Sequence, residues 1–186
     1  IMPVTGEPDL RSGSNSHVEF KKGKKGWKSE FSHDSEKTEA GYYSVKLDRY
    51  NILAETTANV HSGILRFTYP QNENAKIIMN FSRRIGGKAD FEEIKIVNKN
   101  TVEGKIICTP KGGGFGHGHA GISYDLYFTC EFSETPSKIQ FFSNEEIQSK
   151  HLEEFCHEDV GLLLEFNENL TDPLKIKCGI SYASLD

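Results

Sequence analysis

Alternating apolar and polar positions in most of the hydrophobic stretches predict an all-β chain, an antiparallel β-sandwich with at most one short helix. Two further observations point the same way. Turn-forming clusters such as Pro70-Gln71-Asn72, Gly86-Gly87, Asn98-Lys99-Asn100 and Asn167-Glu168-Asn169 punctuate those stretches. Helical spacing of apolar residues is almost absent, so nothing alternates with the strands to build a parallel sheet.

Taken in order, 42-YYSVKL-47 puts Tyr43, Val45 and Leu47 on one face, and 64-ILRFTY-69 does the same with Leu65, Phe67 and Tyr69. The runs 76-KIIMNF-81, 91-FEEIKIV-97 and 101-TVEGKIIC-108 are rich in β-branched residues. In 122-ISYDLYFTCEF-132 the residues Ile122, Tyr124, Leu126, Phe128, Cys130 and Phe132 share a face, with Ser123, Asp125, Thr129 and Glu131 opposite. The segment 144-NEEIQSKHLEEF-155 predicts the single helix, with Asn144 as its cap and Ile147, His151 and Phe155 at helical spacing. Two more strands follow, carried by Leu162, Leu164 and Phe166 and by Ile176, Cys178, Ile180 and Tyr182.

At 186 residues the chain suits one domain spanning 1–186 and buries enough surface to fold without a disulfide or metal staple. Only 36% of the residues are hydrophobic, but 12 Phe and 7 Tyr supply large buried areas. A net charge of −5 with both signs interspersed argues against nucleic acid as a partner. No apolar run of about 18 residues exists to span a bilayer. The opening Ile1-Met2-Pro3-Val4 does not read as a native start, and predicts a piece excised from a longer chain. The cysteines 108, 130, 156 and 178 are far apart; three fall in apolar strands and read as buried thiols, with one disulfide open in an oxidising compartment.

Two stretches invite a chemical reading. In 111-KGGGFGHGHAG-121, His117 and His119 stand between glycines beside Phe115, yet zinc needs three or four ligands and none clusters with them. A Gly-rich connection is the plainer reading. In 20-FKKGKKGWKSEF-31 five lysines surround Trp27, the only tryptophan, which reads either as a solvated hairpin or as a ring on which a sugar stacks. Trp27, Phe115, His117 and His119 are therefore the candidate substrate-binding residues. The acids (Asp34, Glu36, Glu39, Asp48, Glu55, Glu92, Glu93, Asp125) are scattered, and spacing singles out no pair for glycoside hydrolysis. No catalytic residue and no metal ligand is named.

The stretch 31-FSHDSEKTEAGYYSVKLDRYNILAE-55 resembles a segment of glycoside hydrolase family 92, through Ser32-His33, Glu36, Gly41-Tyr42-Tyr43-Ser44-Val45, Leu47-Asp48, Tyr50 and Ala54-Glu55. Thr57-Ala58, Gly63, Arg66 and Thr68-Tyr69-Pro70 continue the likeness, and the ends 1–7 and 178–184 resemble flanking strands. One run departs from the family's pattern: His61 and Leu65 stand where an arginine and a histidine are usual. The resemblance implies a supersandwich of the galactose-mutarotase kind, the N-terminal domain of a calcium-dependent, inverting exo-α-mannosidase. It implies that the catalytic acid, bases and calcium ligands lie in an (α/α) barrel absent here, so this chain alone is inactive and holds no cofactor. It also implies that barrel as partner, a mannose-containing glycan as the whole enzyme's ligand, and a periplasmic, outer-membrane-associated or secreted bacterial setting. His33 is then a turn residue bonding local backbone, and Gly41 lets the chain turn into its strand. The alternative function is a free-standing carbohydrate-binding module, with Trp27, Phe115 and Tyr127 as its aromatic platform.

Overall fold

Alternation along the chain becomes antiparallel pairing throughout. The computed structural model describes residues 1–12, 23, 25–84, 87–112, 122–148, 152–167 and 170–185. The first strands are β1 (Met2–Val4), β2 (Lys37–Glu39), β3 (Tyr42–Leu47), β4 (Ile52–Ala58), β5 (Ser62–Thr68) and β6 (Lys76–Asn80). Next come β7 (Arg83–Arg84), β8 (Gly87–Lys88), β9 (Phe91–Asn98), β10 (Thr101–Cys108) and β11 (Tyr124–Phe132). The last are β12 (Lys138–Ser143), β13 (Glu146–Ile147), β14 (Glu154–His157), β15 (Val160–Glu165) and β16 (Leu174–Ser181). Nine strands form the larger sheet in the order β14-β9-β10-β11-β16-β5-β4-β3-β2. Five form the smaller one, β1-β6-β15-β12-β13, and β7 pairs with β8 in a separate ribbon.

Aromatic rings join the two sheets, which is how a chain of modest apolar content fills its core. Phe81, just after β6, stacks on Phe128 of β11 with centroids 4.8 Å apart. Phe141 of β12 meets Phe155 of β14 at 5.6 Å. Such pairs add about 0.5–1.5 kcal/mol each beyond the area they bury. On β11 the predicted alternation holds from Phe128 to Phe132, with Phe128, Cys130 and Phe132 buried and Glu131 exposed. Before them it fails: Ile122 is 51% exposed, and Tyr124 and Leu126 are no more buried than Asp125 and Tyr127 opposite them. β15 behaves differently. As the central strand of the smaller sheet it is buried from Val160 through Leu164, so its run of three leucines serves both faces. Gly161 is needed there because a Cβ would lie 2.0 Å from the ring of Phe142, its partner in β12.

The helix expected over 144–155 is replaced by strands. Asn144 and Glu145 take positive φ (50° and 70°) and turn the chain back so that Ile147 pairs with Phe142. Two consecutive residues in that conformation make a tight hairpin, not a helix cap. Further on, Phe155 pairs with Ile94 at the edge of the larger sheet. Residues 149–151 lie outside the described set. The described residues hold only two short 3-10 turns, His33–Ser35 and Pro110–Gly112, and no helix long and apolar enough to cross a membrane.

Candidate functional site

The residues that carry the sequence resemblance gather into two hydrogen-bonded clusters. The first begins at the 3-10 turn. Ser32 Oγ accepts the Asp34 N–H at 3.2 Å, and the Ser35 hydroxyl donates to the Ser32 carbonyl at 2.7 Å. His33 Nδ1 contacts the Glu36 carboxylate, whose other oxygen accepts the Tyr43 hydroxyl at 2.6 Å. Glu36 is held below the usual carboxylate range by Tyr43 first and His33 second. The turn is thus clipped to β3 by Glu36 and again by Ser35, whose Oγ accepts the Lys46 N–H at 3.3 Å. The His33 carbonyl bonds local backbone as expected, accepting Glu36 N–H at 3.2 Å, while its ring makes the carboxylate contact. With its side chain 89% exposed, His33 sits on a surface turn.

The second cluster spans three adjacent strands. Glu55 on β4 is 6% exposed although it occupies the face of the sheet opposite Ile52 and Ala54. It accepts Arg66 Nε from β5 at 2.6 Å, a second bond from Arg66 Nη2, and the Tyr42 hydroxyl from β3 at 2.7 Å. The Arg66 guanidinium, before Tyr42, holds the Glu55 carboxyl below its ordinary range. A bidentate arginine fork fixes both partners in plane, so this cluster locks the register of β3, β4 and β5. At the departure from the family pattern, the His61 carbonyl accepts the Ile180 N–H at 2.9 Å, and Leu65 packs against the core.

Trp27 lies half-buried against the core. Its backbone N–H donates to the Arg11 carbonyl at 3.0 Å and its backbone carbonyl accepts the Tyr50 hydroxyl at 2.9 Å. Arg49 holds the same loop, donating to the carbonyls of Gly26 and Lys28. Phe115, His117 and His119 fall within 113–121, outside the described residues. Tyr127 is half-buried on β11, under the Lys105 ammonium at 5.7 Å.

Glu92 is the acid that sequence reasoning left undistinguished. It is fully buried on β9, accepts the Val160 N–H of β15 at 2.9 Å, and leaves its other oxygen unpartnered. Burial, with the Asp159 and Glu158 carboxylates nearby, pushes it up to about 7. A perturbed acid marks a catalytic candidate only with a partner and an opening to substrate; Glu92 is fully enclosed and ties one sheet to the other. Among the described residues no three His, Cys, Asp or Glu side chains gather as metal ligands.

The family model described as the glycosyl hydrolase family 92 N-terminal domain matches residues 1–181. The chain belongs to family 92, as its N-terminal domain. Among solved structures it is similar to the family GH92 α-mannosidase BT3965 of Bacteroides thetaiotaomicron, solved in complex with mannoimidazole, with a TM-score of 0.82 and 26% identity. That match covers 98% of this chain and 23% of the other. The inverting mannosidase BT2199 of Bacteroides thetaiotaomicron VPI-5482 shares the fold at a TM-score of 0.72 and 20% identity, covering 98% and 21%. The family hydrolase ccman5 follows at 0.67 and 20%, covering 82% and 20%. This family 92 domain thus spans about a quarter of the solved mannosidases it matches. No curated protein sequence matches it.

Proposed function

We propose that this chain is the non-catalytic N-terminal sandwich of an α-mannosidase and works by packing on the catalytic (α/α) barrel of the same parent chain, helping to wall the active-site cleft. The observation that carries the proposal is an apolar surface where β11 begins and β16 ends. Ile122, Ile180 and Leu185 are exposed there, Tyr182 is 65% exposed, and the Tyr182 ring stands 6.0 Å from that of Tyr124. Exposed Ile180 and Tyr182, two residues apart and with Tyr124 beside the Tyr182 ring, make the kind of apolar surface that another body covers.

In this reading the general acid, the bases and the calcium ion belong to the barrel, and hydrolysis of the mannoside inverts the anomeric centre. The residues described here gather no ligand set for calcium, so no metal step is assigned to them. A glycan is bound by the assembled enzyme, in the periplasm, on the outer membrane or outside a bacterial cell.

Co-expression of this domain with the remainder of its parent chain tests the proposal. The two are expected to elute together at 1:1, and Ile180→Ser with Tyr182→Ser is expected to weaken that association at least tenfold. A remainder that is soluble, folded and indifferent to the domain overturns it.

A further inference from the structure

Cys130 of β11 and Cys178 of β16 stand directly opposite one another in an antiparallel ladder. Their sulfurs are 3.2 Å apart, and both are thiols. Opposed residues in such a ladder have Cα atoms about 4.5–5.5 Å apart, inside the roughly 4.4–6.8 Å window that disulfides occupy. The sulfurs need only close to about 2.05 Å, which a small rotation about each Cα–Cβ bond supplies. Cys130 is buried and Cys178 half-buried, so Cys178 is the more accessible member of the pair. Neither side chain takes part in the two motif clusters described above.

We propose that Cys130 and Cys178 are a disulfide-forming pair that cross-links β11 to β16 when the domain meets a small disulfide oxidant. The reaction balances as two exchanges. The Cys178 thiolate attacks one sulfur of oxidised glutathione, expelling one glutathione thiolate and leaving a mixed disulfide on Cys178. The Cys130 thiolate then attacks the Cys178 sulfur and expels the second glutathione thiolate. Two protons and two electrons leave the protein, and one glutathione disulfide becomes two thiols. The hydrogen bond between the sulfurs prepares the first step. It holds the Cys178 thiol below its usual range, while the same bond, followed by burial, pushes Cys130 up. Cys178, the less buried of the two, is therefore the attacking one.

The bridge would enclose β12 through β15, whose strands include two of the smaller sheet's central members. Closing so long a loop restricts the unfolded chain more than the folded one. Cys108 is buried and has no cysteine opposite it, since its β11 partner is Tyr124. Cys156 lies exposed at the far edge of the sheet, on β14.

The test is incubation of the purified protein with oxidised glutathione, followed by thiol counting in denaturant and peptide mapping without reductant. The expected result is a single linked peptide pair carrying Cys130 and Cys178, with the loss of both their thiols. The mass should be lower by about two units in Cys156→Ser, where the exposed thiol cannot carry a glutathione of its own. The melting temperature should rise by roughly 5–10 °C and return on adding reductant. Cys156→Ser should cross-link as wild type does, and Cys130→Ser should stop at a glutathione adduct on Cys178. Thiols surviving at Cys130 and Cys178, a stable adduct on Cys178 in the wild-type protein, or a bridge that includes Cys156 would each overturn the proposal. The wild-type peptide map decides the matter even if Cys130→Ser fails to fold.

Discussion

Glu92 of β9 and Val160 of β15, 68 residues apart in the chain, meet in one buried hydrogen bond of 2.9 Å that ties the larger sheet to the smaller. The bond satisfies one carboxylate oxygen and leaves the second with none. Burial is the main reason the carboxyl is pushed up to about 7.

A pH dependence follows from that shift. The folded state holds the Glu92 proton more tightly than the unfolded chain does, so its contribution is full below the ordinary carboxylate value and is lost as pH rises toward about 7. The loss is about 3 kcal/mol across that interval, at 1.36 kcal/mol for each pH unit. Urea unfolding of Glu92→Gln between pH 5 and 8 should show a flatter profile than wild type. Parallel profiles would contradict the assignment.

Arg66→Ala should destabilise the domain by about 1–3 kcal/mol, less than a fully enclosed pair would lose because the guanidinium is partly solvated. Arg66→Lys should recover only part of that, since an ammonium cannot make the two parallel bonds that the Glu55 carboxylate accepts. Because the Glu55 carboxyl is held low, the pair's contribution should fade as the solution is acidified below the ordinary carboxylate range. Chemical denaturation of the three proteins at pH 7 and at about pH 3 measures both effects.

At the hairpin between β12 and β13, Glu145 holds a left-handed conformation that costs a side chain roughly 1 kcal/mol. Glu145→Gly creates the Asn-Gly sequence this turn prefers, and should raise stability by roughly 0.5–1 kcal/mol. The check is a shift of the urea midpoint with an unchanged slope.

Gly161→Ala should act in the opposite sense. Its methyl group meets the Phe142 ring, itself 1% exposed and unable to move aside freely. Overpacking of this kind costs about 1–3 kcal/mol. A calorimetric melt lowered by several degrees is expected, and Phe142→Leu in the same chain should recover part of the loss.

Several strands were legible because one face is buried and a period of two records that fact, most plainly from Phe128 to Phe132, while β15, buried on both faces, was legible as an apolar run. The segment 144–155 was misread because Ile147 and Phe155 are also apolar positions of two separate strands. Asn144 is equally a residue that caps helices and one that tolerates left-handed turns. The motif residues Tyr42, Glu55 and Arg66 were visible singly, but their meeting depends on the register of three strands. The same holds for Cys130 and Cys178, whose inward parity could be read while their direct opposition could not. Glu92 looked like any other acid because the N–H that holds it belongs to a distant strand in the other sheet.

The most direct test of the account is hydrolysis of an α-mannoside in the presence of calcium by this 186-residue chain alone, and by the same chain mixed with the remainder of its parent. The account predicts no turnover from the domain alone and activity on mixing that exceeds that of the remainder by itself. Turnover by the isolated domain, abolished by a substitution within it, would contradict the assignment of a non-catalytic sandwich.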